Sequence, residues 1–282
     1  MIYPALLKLW GHVFGRPSCR RLNNLLVNLG ARGLGVGDAN QRSNGEERNL
    51  TRWLAAIHAG EDVGAVVDVG ANEGDFAATV VGFRPDLCVH AFEPHPQTFA
   101  RLRARVEARG VRCHNLALGS ADGVMKLWDY TDRPDGTSHA TFHPDLVRRV
   151  ESASLQSCVV RVATLAQVAP AEGIGRILLL KLDTEGHELE CLRGARGLLA
   201  ADRIDVVQFE FNFMHLDSRV TMQDFAETLA GFDLYRILPH GIMALDLGDP
   251  MSSNLYRVQN IIACRRGSPT AQLYVESNRA AR

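Results

Sequence analysis

An apolar run that ends in a glycine-spaced turn, from Val66 to Gly74, constrains the fold more than any other segment. Valines surround one aspartate between Val66 and Val69, a composition typical of a buried strand. Gly70 and Gly74 permit backbone angles and close approaches that a side chain would prevent. A helical pattern follows. The segment therefore predicts a strand, a tight turn against which a small ligand can lie, and a helix.

A second apolar run, Cys88 to Phe92, ends in an acid, Glu93. Strand, glycine turn, helix, strand and acid follow one another as in a Rossmann-like nucleotide site. The glycines are spaced G-x-x-x-G instead of the G-x-G-x-x-G typical of dinucleotide sites, and Asp68 and Glu73 would repel a diphosphate. The turn therefore favours a ligand with a cationic end, such as S-adenosylmethionine (SAM). Glu93 is expected to accept both ribose hydroxyls.

With these motifs and three further ones, the chain resembles the FkbM family of SAM-dependent methyltransferases from about residue 45 to 265. The matching segments, in chain order, are Asp68 to Gly74, Phe92 to Pro96, Asn115 to Gly119, Leu180 to Glu188 and Leu192 to Ala195. The resemblance implies a class I methyltransferase fold and O-methylation of a sugar or another natural-product hydroxyl. One departure is visible: Thr164-Leu165 is followed by Ala166, where the family often has aspartate. No role is assigned to that position.

The resemblance and the strand–turn pattern together predict the cofactor site. The residues expected to bind SAM are Asp68, Gly70, Ala71, Asn72, Gly74, Glu93, Pro94, Ala117, Leu118 and Asp183. Ala117 and Leu118 are expected to form an apolar wall for the adenine, a role that is compatible with packing in the core.

Catalytic residues are expected at the carboxyl ends of the strands, where ligands lie in open α/β sheets. Removal of the hydroxyl proton needs a carboxylate or an imidazole, and the candidates are Asp183, Glu185, His187 and Glu210. Structural alternatives remain open for each of the first three: a helix cap for Asp183, a partner of a helix dipole for Glu185 and a surface histidine for His187. Lys181 shares a strand face with Asp183, which predicts a structural ion pair.

A divalent metal site is a further alternative, because Mg²⁺ prefers oxygen ligands. Asp183, Glu210 and Asn212 offer such ligands, but no spacing in the sequence defines a ligand set. Gln208, Glu210 and Asn212 alternate along one predicted strand, so their side chains share a face that is expected to point into the cleft, with an internal hydrogen-bond network as the alternative.

Strands that alternate with helices predict an α/β fold: a mostly parallel seven-stranded sheet with helices on both faces and an N-terminal helical extension. The expected organisation is a helical extension or cap over residues 1–60, a methyltransferase domain over 61–267 and a C-terminal tail over 268–282. Residues 131–157 are polar and predict a loop. His139, His143, Arg148 and Arg149 of this loop are possible substrate contacts, although solvated side chains are the simpler interpretation.

The net charge of −1 gives no global field that would attract nucleic acid. The six cysteines contain no C-x-x-C pair, so reduced, buried thiols and a cytoplasmic location are expected. No transmembrane segment is predicted. The N-terminal residues Leu6, Leu7, Leu9, Trp10 and Val13 suggest an amphipathic helix, which is expected to pack on the domain or cap the cleft, with peripheral membrane contact as the alternative. The oligomeric state is not predicted.

The expected partner is a small-molecule or glycan acceptor. Three other interpretations remain open: an NAD(P)-dependent oxidoreductase, a SAM-binding module without turnover, and an interaction scaffold that binds no nucleotide. The first requires a glycine spacing that this sequence lacks.

Overall fold

One large sheet organises the fold in the computed structural model, which describes residues 2–58, 64–130, 140–151 and 154–279. The strands are β1 (Ala65–Val69), β2 (Cys88–Phe92), β3 (Arg112–His114), β4 (Ala117–Leu118), β5 (Gly123–Tyr130), β6 (Leu155–Ala163), β7 (Ile177–Leu182), β8 (Ile204–Phe211), β9 (Phe232–Leu238), β10 (Gly241–Ala244) and β11 (Gln259–Arg265).

Helices separate most of the strands. They are α1 (Ile2–Phe14), α2 (Arg20–Gly33), α3 (Glu46–Ala56), α4 (Asp75–Phe83), α5 (Pro96–Val106), α6 (Pro144–Glu151), α7 (Leu165–Ala171), α8 (Glu188–Gly194), α9 (Arg196–Ala200), α10 (His215–Ser218), α11 (Met222–Thr228), α12 (Pro250–Ser253) and α13 (Pro269–Asn278). Short 3-10 turns at Pro17–Cys19 and Glu107–Arg109 adjoin α2 and α5.

The large sheet has the order β10-β9-β11-β8-β7-β1-β2-β3. Its β3, β2, β1, β7 and β8 are parallel, and β11, β9 and β10 pair antiparallel. The predicted mostly parallel α/β sheet is confirmed, but the described residues form eight strands instead of seven. The additional strand is β10, whose four residues are too few to show a periodic pattern and which becomes a strand by pairing with β9.

Both faces of the large sheet are buried. Val67 and Val69 of β1 belong to one apolar cluster and Val66 belongs to the other, because successive side chains of a strand point to opposite faces. A smaller sheet with the order β4-β6-β5 stands beside the large one. Its strands β5 and β6 pair antiparallel, from Gly123 opposite Val162 to Tyr130 opposite Leu155.

Helices α8 and α9 follow β7 and meet at Ala195. Two predictions, a loop over 131–157 and a C-terminal tail, need correction. The loop expected over 131–157 contains α6 and the start of β6 in its described part. Residues 268–282 include α13, where Ser268 caps the helix and Tyr274 is completely buried. Asn278 of this helix donates to the Asn49 carbonyl of α3 at 3.0 Å, so this segment is packed against the body of the protein.

The N-terminal region is helical, as predicted, but its parts differ in burial. Helix α2 includes Gly30 and ends at Gly33, with Leu34 as its C-terminal cap. Every described α1 residue from Tyr3 to Val13 is exposed, whereas Trp53 of α3 is completely buried. No helix among the described residues is long and apolar enough to cross a membrane.

Candidate active site

A cavity of about 510 Å³ opens at the carboxyl ends of β1, β7 and β8. Its charged lining comes from the ends of these strands, from Glu73 of the glycine turn and from Asp75 of α4, and the last two acids are paired with Arg101 and Arg105. Other walls come from the loop before α3, from β5 and from α6. The residues that line it are Ala39, Gln41, Asp68, Gly70, Ala71, Asn72, Glu73, Asp75, Phe76, Tyr130, Val147, Lys181, Asp183, Glu185, Glu210, Asn212, Phe213, Met214 and Val258.

The glycine turn after β1 closes one side of this cavity. Gly70 adopts a φ of +76°, and a Cβ built there would lie 1.8 Å from the Asp183 carbonyl oxygen. The backbone N–H groups of Gly70 and Ala71 both donate to the Phe92 carbonyl at 3.0 Å. The turn therefore brings the ends of β1, β2 and β7 together, and glycine is required where the backbones meet.

Glu93 connects the end of β2 to this turn. One carboxylate oxygen accepts from the Asn72 N–H at 3.0 Å, and the other accepts from the His95 N–H at 2.8 Å. Burial raises the pKa of Glu93 to about 7. Because each carboxylate oxygen has two lone pairs, both retain acceptor capacity for a ligand.

A smaller cavity adjoins Glu93 and shares Gly70, Asn72, Asp183 and Glu185 with the larger one. Pro94, Ala117 and Leu118 line this smaller cavity beside apolar side chains such as Phe142. Ala117 and Leu118 are also buried in the apolar core, so the two roles considered for them are compatible in space.

Lys181 lies beneath the larger cavity among several acids. Its Nζ lies 2.8 Å from Asp183 Oδ2 and 4.0 Å from Asp68 Oδ1, which confirms the predicted ion pair between Lys181 and Asp183. Burial disfavours the Lys181 charge, but the neighbouring Asp183, Asp68 and Glu46 outweigh burial and raise the pKa of Lys181 above its ordinary value.

Asp68 is completely buried, and neither of its carboxylate oxygens has a hydrogen-bond partner among the described residues. Burial raises the pKa of Asp68 to about 6, although the nearby Lys181 opposes this shift. Buried carboxylates are nearly always hydrogen-bonded or paired. Asp68 faces the Lys181 ammonium group at 4.0 Å, but that cation also pairs with Asp183 at 2.8 Å. Two acids thus share one cation, which fits a site in which a further cation is needed.

Carboxylates also lie close together at the end of β8. Asn212 Nδ2 donates to Glu210 at 2.6 Å and to Glu185 at 3.3 Å, so it links two carboxylates. Burial, with Asp183 and Glu185 nearby, raises the pKa of Glu210 well above its ordinary value. Glu185 itself adopts a left-handed φ of 52°, which is uncommon for a residue with a long side chain.

His187 does not share this cavity. It lines a third cavity, which His143 also lines, and the His187 ring is 4.8 Å from the ring of Phe142. Burial lowers the pKa of His187 to about 4, so the imidazole is neutral at physiological pH. The structure thus brings Asp183, Glu185 and Glu210 together and separates His187 from them.

The alternative role of Asp183 as a helix cap is not what the structure shows. Helix α8 begins only at Glu188, which accepts the backbone N–H groups of Thr184 at 2.7 Å and Gly186 at 3.1 Å. His215 Nε2 lies 3.0 Å from the other side of this buried carboxylate. Glu188 therefore orders the turn that carries Asp183 and Glu185.

Two further residues complete the polar layer under the cavity, and no sequence motif indicated the first of them. Glu46 of α3 is buried and accepts from Gln208 Nε2 at 2.8 Å. Burial raises the pKa of Glu46 to about 7, while Lys181 opposes the shift. Gln208 and Asn212 lie on the strand face predicted to be polar, but Gln208 is directed to Glu46 in the interior.

The substrate contacts proposed for residues 131–157 are tested only in part. His139 and the side chain of Arg149 lie outside the described residues. His143 lines the third cavity, beside His187, and the exposed Arg148 lies over the Trp128 ring at 4.4 Å. Neither residue lines the cavity with the acids.

A metal site at Asp183, Glu210 and Asn212 gains no support. The amide oxygen of Asn212 accepts the Met214 N–H at 2.8 Å, and Asp183 is paired with Lys181. Within the described ranges, only His90, His114 and Glu172 bring three potential ligand atoms of His, Cys, Asp or Glu within 4.8 Å. His90 Nδ1 and His114 Nε2 lie 3.1 Å apart, which a hydrogen bond between the rings explains.

Comparison with known proteins finds a family model for part of the chain. The model, described as the methyltransferase FkbM domain, matches residues 68–234, which is more than half of the chain. The matched region contains every residue of the larger cavity that comes from β1, β7 or β8.

Two curated proteins illustrate the similarity. The 31-O-demethyl-FK506 methyltransferase FkbM of Streptomyces tacrolimicus is 33% identical over 157 residues, which cover 46% of this chain and 58% of that protein. Methyltransferase 1 of Beauveria bassiana is 31% identical over 144 residues, which cover 46% of this chain and 57% of that protein. The chain thus spans less than two thirds of the length of either relative.

Among solved structures, a methyltransferase FkbM from Methylobacillus flagellatus KT aligns with a TM-score of 0.42 and 13% identity. The alignment covers 74% of this chain and 47% of that one.

Proposed function

We propose a function for this chain from the premise that it belongs to the FkbM methyltransferase family. The proposed activity is transfer of a methyl group from SAM to a hydroxyl group of a sugar or another natural-product acceptor. One observation carries the proposal: Asp68, Asp183, Glu185 and Glu210 line one cavity with Lys181 among them.

Four carboxylates beside a single ammonium group leave an excess of negative charge in a largely buried place. Such a cluster is costly unless a cation or a function compensates for it. SAM carries a sulfonium and an amino group, whereas the diphosphate of NAD(P) would be repelled. Both carboxylate oxygens of Asp68 lack a hydrogen-bond partner among the described residues, and the pKa of Glu210 is raised. Both observations fit a cationic ligand.

The proposed cofactor residues divide between the two adjoining cavities. Glu93 would hold the ribose hydroxyls, and Pro94, Ala117 and Leu118 would border the adenine. The backbone of Gly70, Ala71, Asn72 and Gly74 forms the turn against which the cofactor would lie, with Asp68 and Asp183 on its charged side. When bound, SAM supplies an activated methyl group.

Asp183 is the proposed general base. Its carboxylate lines the cavity, and Lys181 at 2.8 Å holds one of its oxygens. In the proposed reaction, SAM would supply the methyl group to the acceptor oxygen, and Asp183 would take the proton that the acceptor hydroxyl releases. Glu210 is less suitable, because Asn212 Nδ2 already donates to it at 2.6 Å and burial, with Asp183 and Glu185 nearby, disfavours its charge and raises its pKa well above its ordinary value. Glu185 would shape the acceptor side of the cavity.

The class of acceptor is supported by chemistry and by one relative. The name of the Streptomyces protein describes a methyltransferase for 31-O-demethyl-FK506. A polar cavity lined by Asn72, Glu185 and Asn212 suits a hydroxylated acceptor. We propose a small-molecule or glycan acceptor and a cytoplasmic location, which the six free cysteines support.

The test is a reaction of the purified protein with methyl-labelled SAM and a panel of sugar and polyketide acceptors, followed by mass spectrometry. We expect a methylated acceptor and S-adenosylhomocysteine. Stabilisation by NAD(H) instead of SAM would favour an oxidoreductase, and SAM binding without turnover on any acceptor would favour a binding module. Either result would contradict the proposal.

Asp183→Asn tests the base. General-base help is typically worth about 10²–10⁴ in rate, so we expect turnover to fall by at least about 10². SAM affinity by calorimetry should fall much less than turnover, because Asp68 and Glu93 would still hold the cofactor. Asp233→Asn, which alters an exposed acid paired with Arg266, is the matched control and should retain activity. If Asp183→Asn stays within about twofold of the wild type, Asp183 is not the base.

A further inference from the structure

Exposed apolar side chains are concentrated on the two N-terminal helices. Of the 17 large hydrophobic residues that are exposed in the described part of the chain, 12 lie between Tyr3 and Leu34. On α2, Leu22, Leu25, Leu26 and Leu29 recur at helical spacing and all remain exposed. Contiguous apolar surfaces of this kind mark an interaction site in a folded protein.

The two helices form an ordered hairpin. Trp10 Nε1 of α1 donates to Asn23 of α2 at 3.1 Å, and Asn23 donates in turn to the Phe14 carbonyl at 2.9 Å. Arg257 donates to Asn28 of α2 at 2.9 Å, which ties the hairpin to the body of the protein. Polar contacts thus position both helices while their leucines face outward.

The charge of this hairpin has a single sign. Residues 1–37 contain Lys8, Arg16, Arg20, Arg21 and Arg32 but no aspartate or glutamate, although the net charge of the whole chain is −1. Arg32 pairs with Asp38 at 2.6 Å, and the other four cations are exposed. A surface that combines exposed leucines with arginine and lysine is complementary to an anionic lipid headgroup layer above apolar chains.

We propose that the α1–α2 hairpin, residues 2–34, docks this protein on the surface of an anionic lipid bilayer. A second copy of the chain is a poorer occupant, because it would bring two cationic surfaces together. The sequence-based expectation that the N-terminal helix packs on the domain is not met at α1, where Tyr3 to Val13 are exposed. The proposal does not depend on the methyl-transfer reaction.

The position of the hairpin determines which side of the protein would face the bilayer. Asn28 and Arg32 of α2 line a surface groove together with Phe213 and Val258. Phe213 and Val258 also line the cavity that holds the acids. A docked hairpin would therefore hold this side of the cavity close to the lipid headgroups.

The test is sedimentation of the full chain with vesicles of phosphatidylcholine, with and without phosphatidylserine. We expect binding to the anionic vesicles that weakens with salt and is much weaker on phosphatidylcholine alone. Arg20→Gln with Arg21→Gln should reduce the partition coefficient about 25-fold, since each cation near an anionic surface contributes about fivefold. Leu25→Ser with Leu29→Ser should also release the protein.

The matched control is Val124→Ser with Val159→Ser, which removes two equally exposed valines from the smaller sheet and should leave binding unchanged. Equal binding to both kinds of vesicle, no binding, or equal loss in the control would overturn the proposal. A dimer in sedimentation equilibrium that Leu25→Ser with Leu29→Ser dissociates, without vesicle binding, would replace the lipid with a second copy. Brominated lipids that leave the fluorescence of Trp10 unquenched would also contradict it.

Discussion

Glu93 has both a structural role in the turn and a proposed role in binding the cofactor. Its two oxygens hold the backbone of Asn72 and His95, and the same carboxylate is the proposed acceptor for the ribose hydroxyls. A carboxylate that is already oriented by the protein loses little freedom when the ligand arrives. Because the backbone contacts hold Glu93 rigidly, this carboxylate is well suited to accept hydrogen bonds from the ribose hydroxyls.

Glu93→Ala should weaken SAM binding by about 1.5–3 kcal/mol, the scale of lost hydrogen bonds to a charged group. Isothermal titration calorimetry measures this change. Because Glu93 also holds the turn, thermal unfolding should be recorded for the same variant. Glu107→Ala, which removes an exposed acid paired with Arg103, is the control and should bind normally. Unchanged affinity in folded Glu93→Ala would refute the ribose assignment.

Single residues differed in how well the sequence could place them. Lys181 and Asp183 are two positions apart on one strand, so their shared face, and hence their ion pair, could be predicted. Glu46 and Gln208 meet across 162 positions of sequence, and no local pattern records such a contact. His187 lies close to Asp183 in sequence, but the left-handed Glu185 and Gly186 redirect the chain and place His187 on another cavity.

At the scale of elements, the approach of β1 to β7 depends on one missing side chain. Gly70 at the end of β1 leaves room for the Asp183 carbonyl after β7. Gly173, in the loop before β7, has a similar φ of +71° but open space around it. An alanine at Gly173 would therefore cost only the free energy of the left-handed backbone conformation. An alanine at Gly70 would add the free energy of a steric clash with Asp183.

Gly173→Ala should lower the free energy of unfolding by about 1–2 kcal/mol, the cost of a left-handed residue with a Cβ. Gly70→Ala should cost about 2–3 kcal/mol more, because the strand ends must also move apart. Urea unfolding of both variants measures the difference. Equal losses would show that the predicted collision at Gly70 is relieved without cost.

Elements with a strong apolar pattern were predictable, and the others were not. The run from Ile177 to Leu182 is a strand in the sequence pattern and in the structure. Strand β10 is short and depends on its partner β9, and the apolar residues of α13 are grouped between Ala271 and Val275 instead of recurring at helical spacing. Their formation comes from tertiary packing, to which local periodicity is insensitive.

The whole molecule is nearly neutral, but its charge is unevenly distributed. Cations dominate residues 1–37, and acids dominate the cavity. The net charge averages these two regions, so composition predicted no electrostatic attraction to a partner. Only the structure shows that the acids converge in one place and that the apolar face of the N-terminal helices stays uncovered.

The pH dependence of SAM binding follows from this convergence. The pKa of Asp68 is raised to about 6, that of Glu93 to about 7 and that of Glu210 well above its ordinary value, in each case mainly by burial. A bound cation favours the ionised forms, so binding should release protons near pH 7, and affinity should rise with pH between about 6 and 8. Calorimetry in phosphate and in Tris measures the release. Identical binding enthalpies in the two buffers would contradict it.

The crowded carboxylates around Lys181 also bear on how a catalytic cycle would end. The proposed transfer would convert the sulfonium into an uncharged thioether, and Asp183 would hold the proton from the acceptor hydroxyl. The spent cofactor would keep its amino group but lose one of the two cations that the acids attract. Its affinity for the cavity should therefore be lower than that of the donor, so the same charges that favour capture of the donor would favour departure of the product.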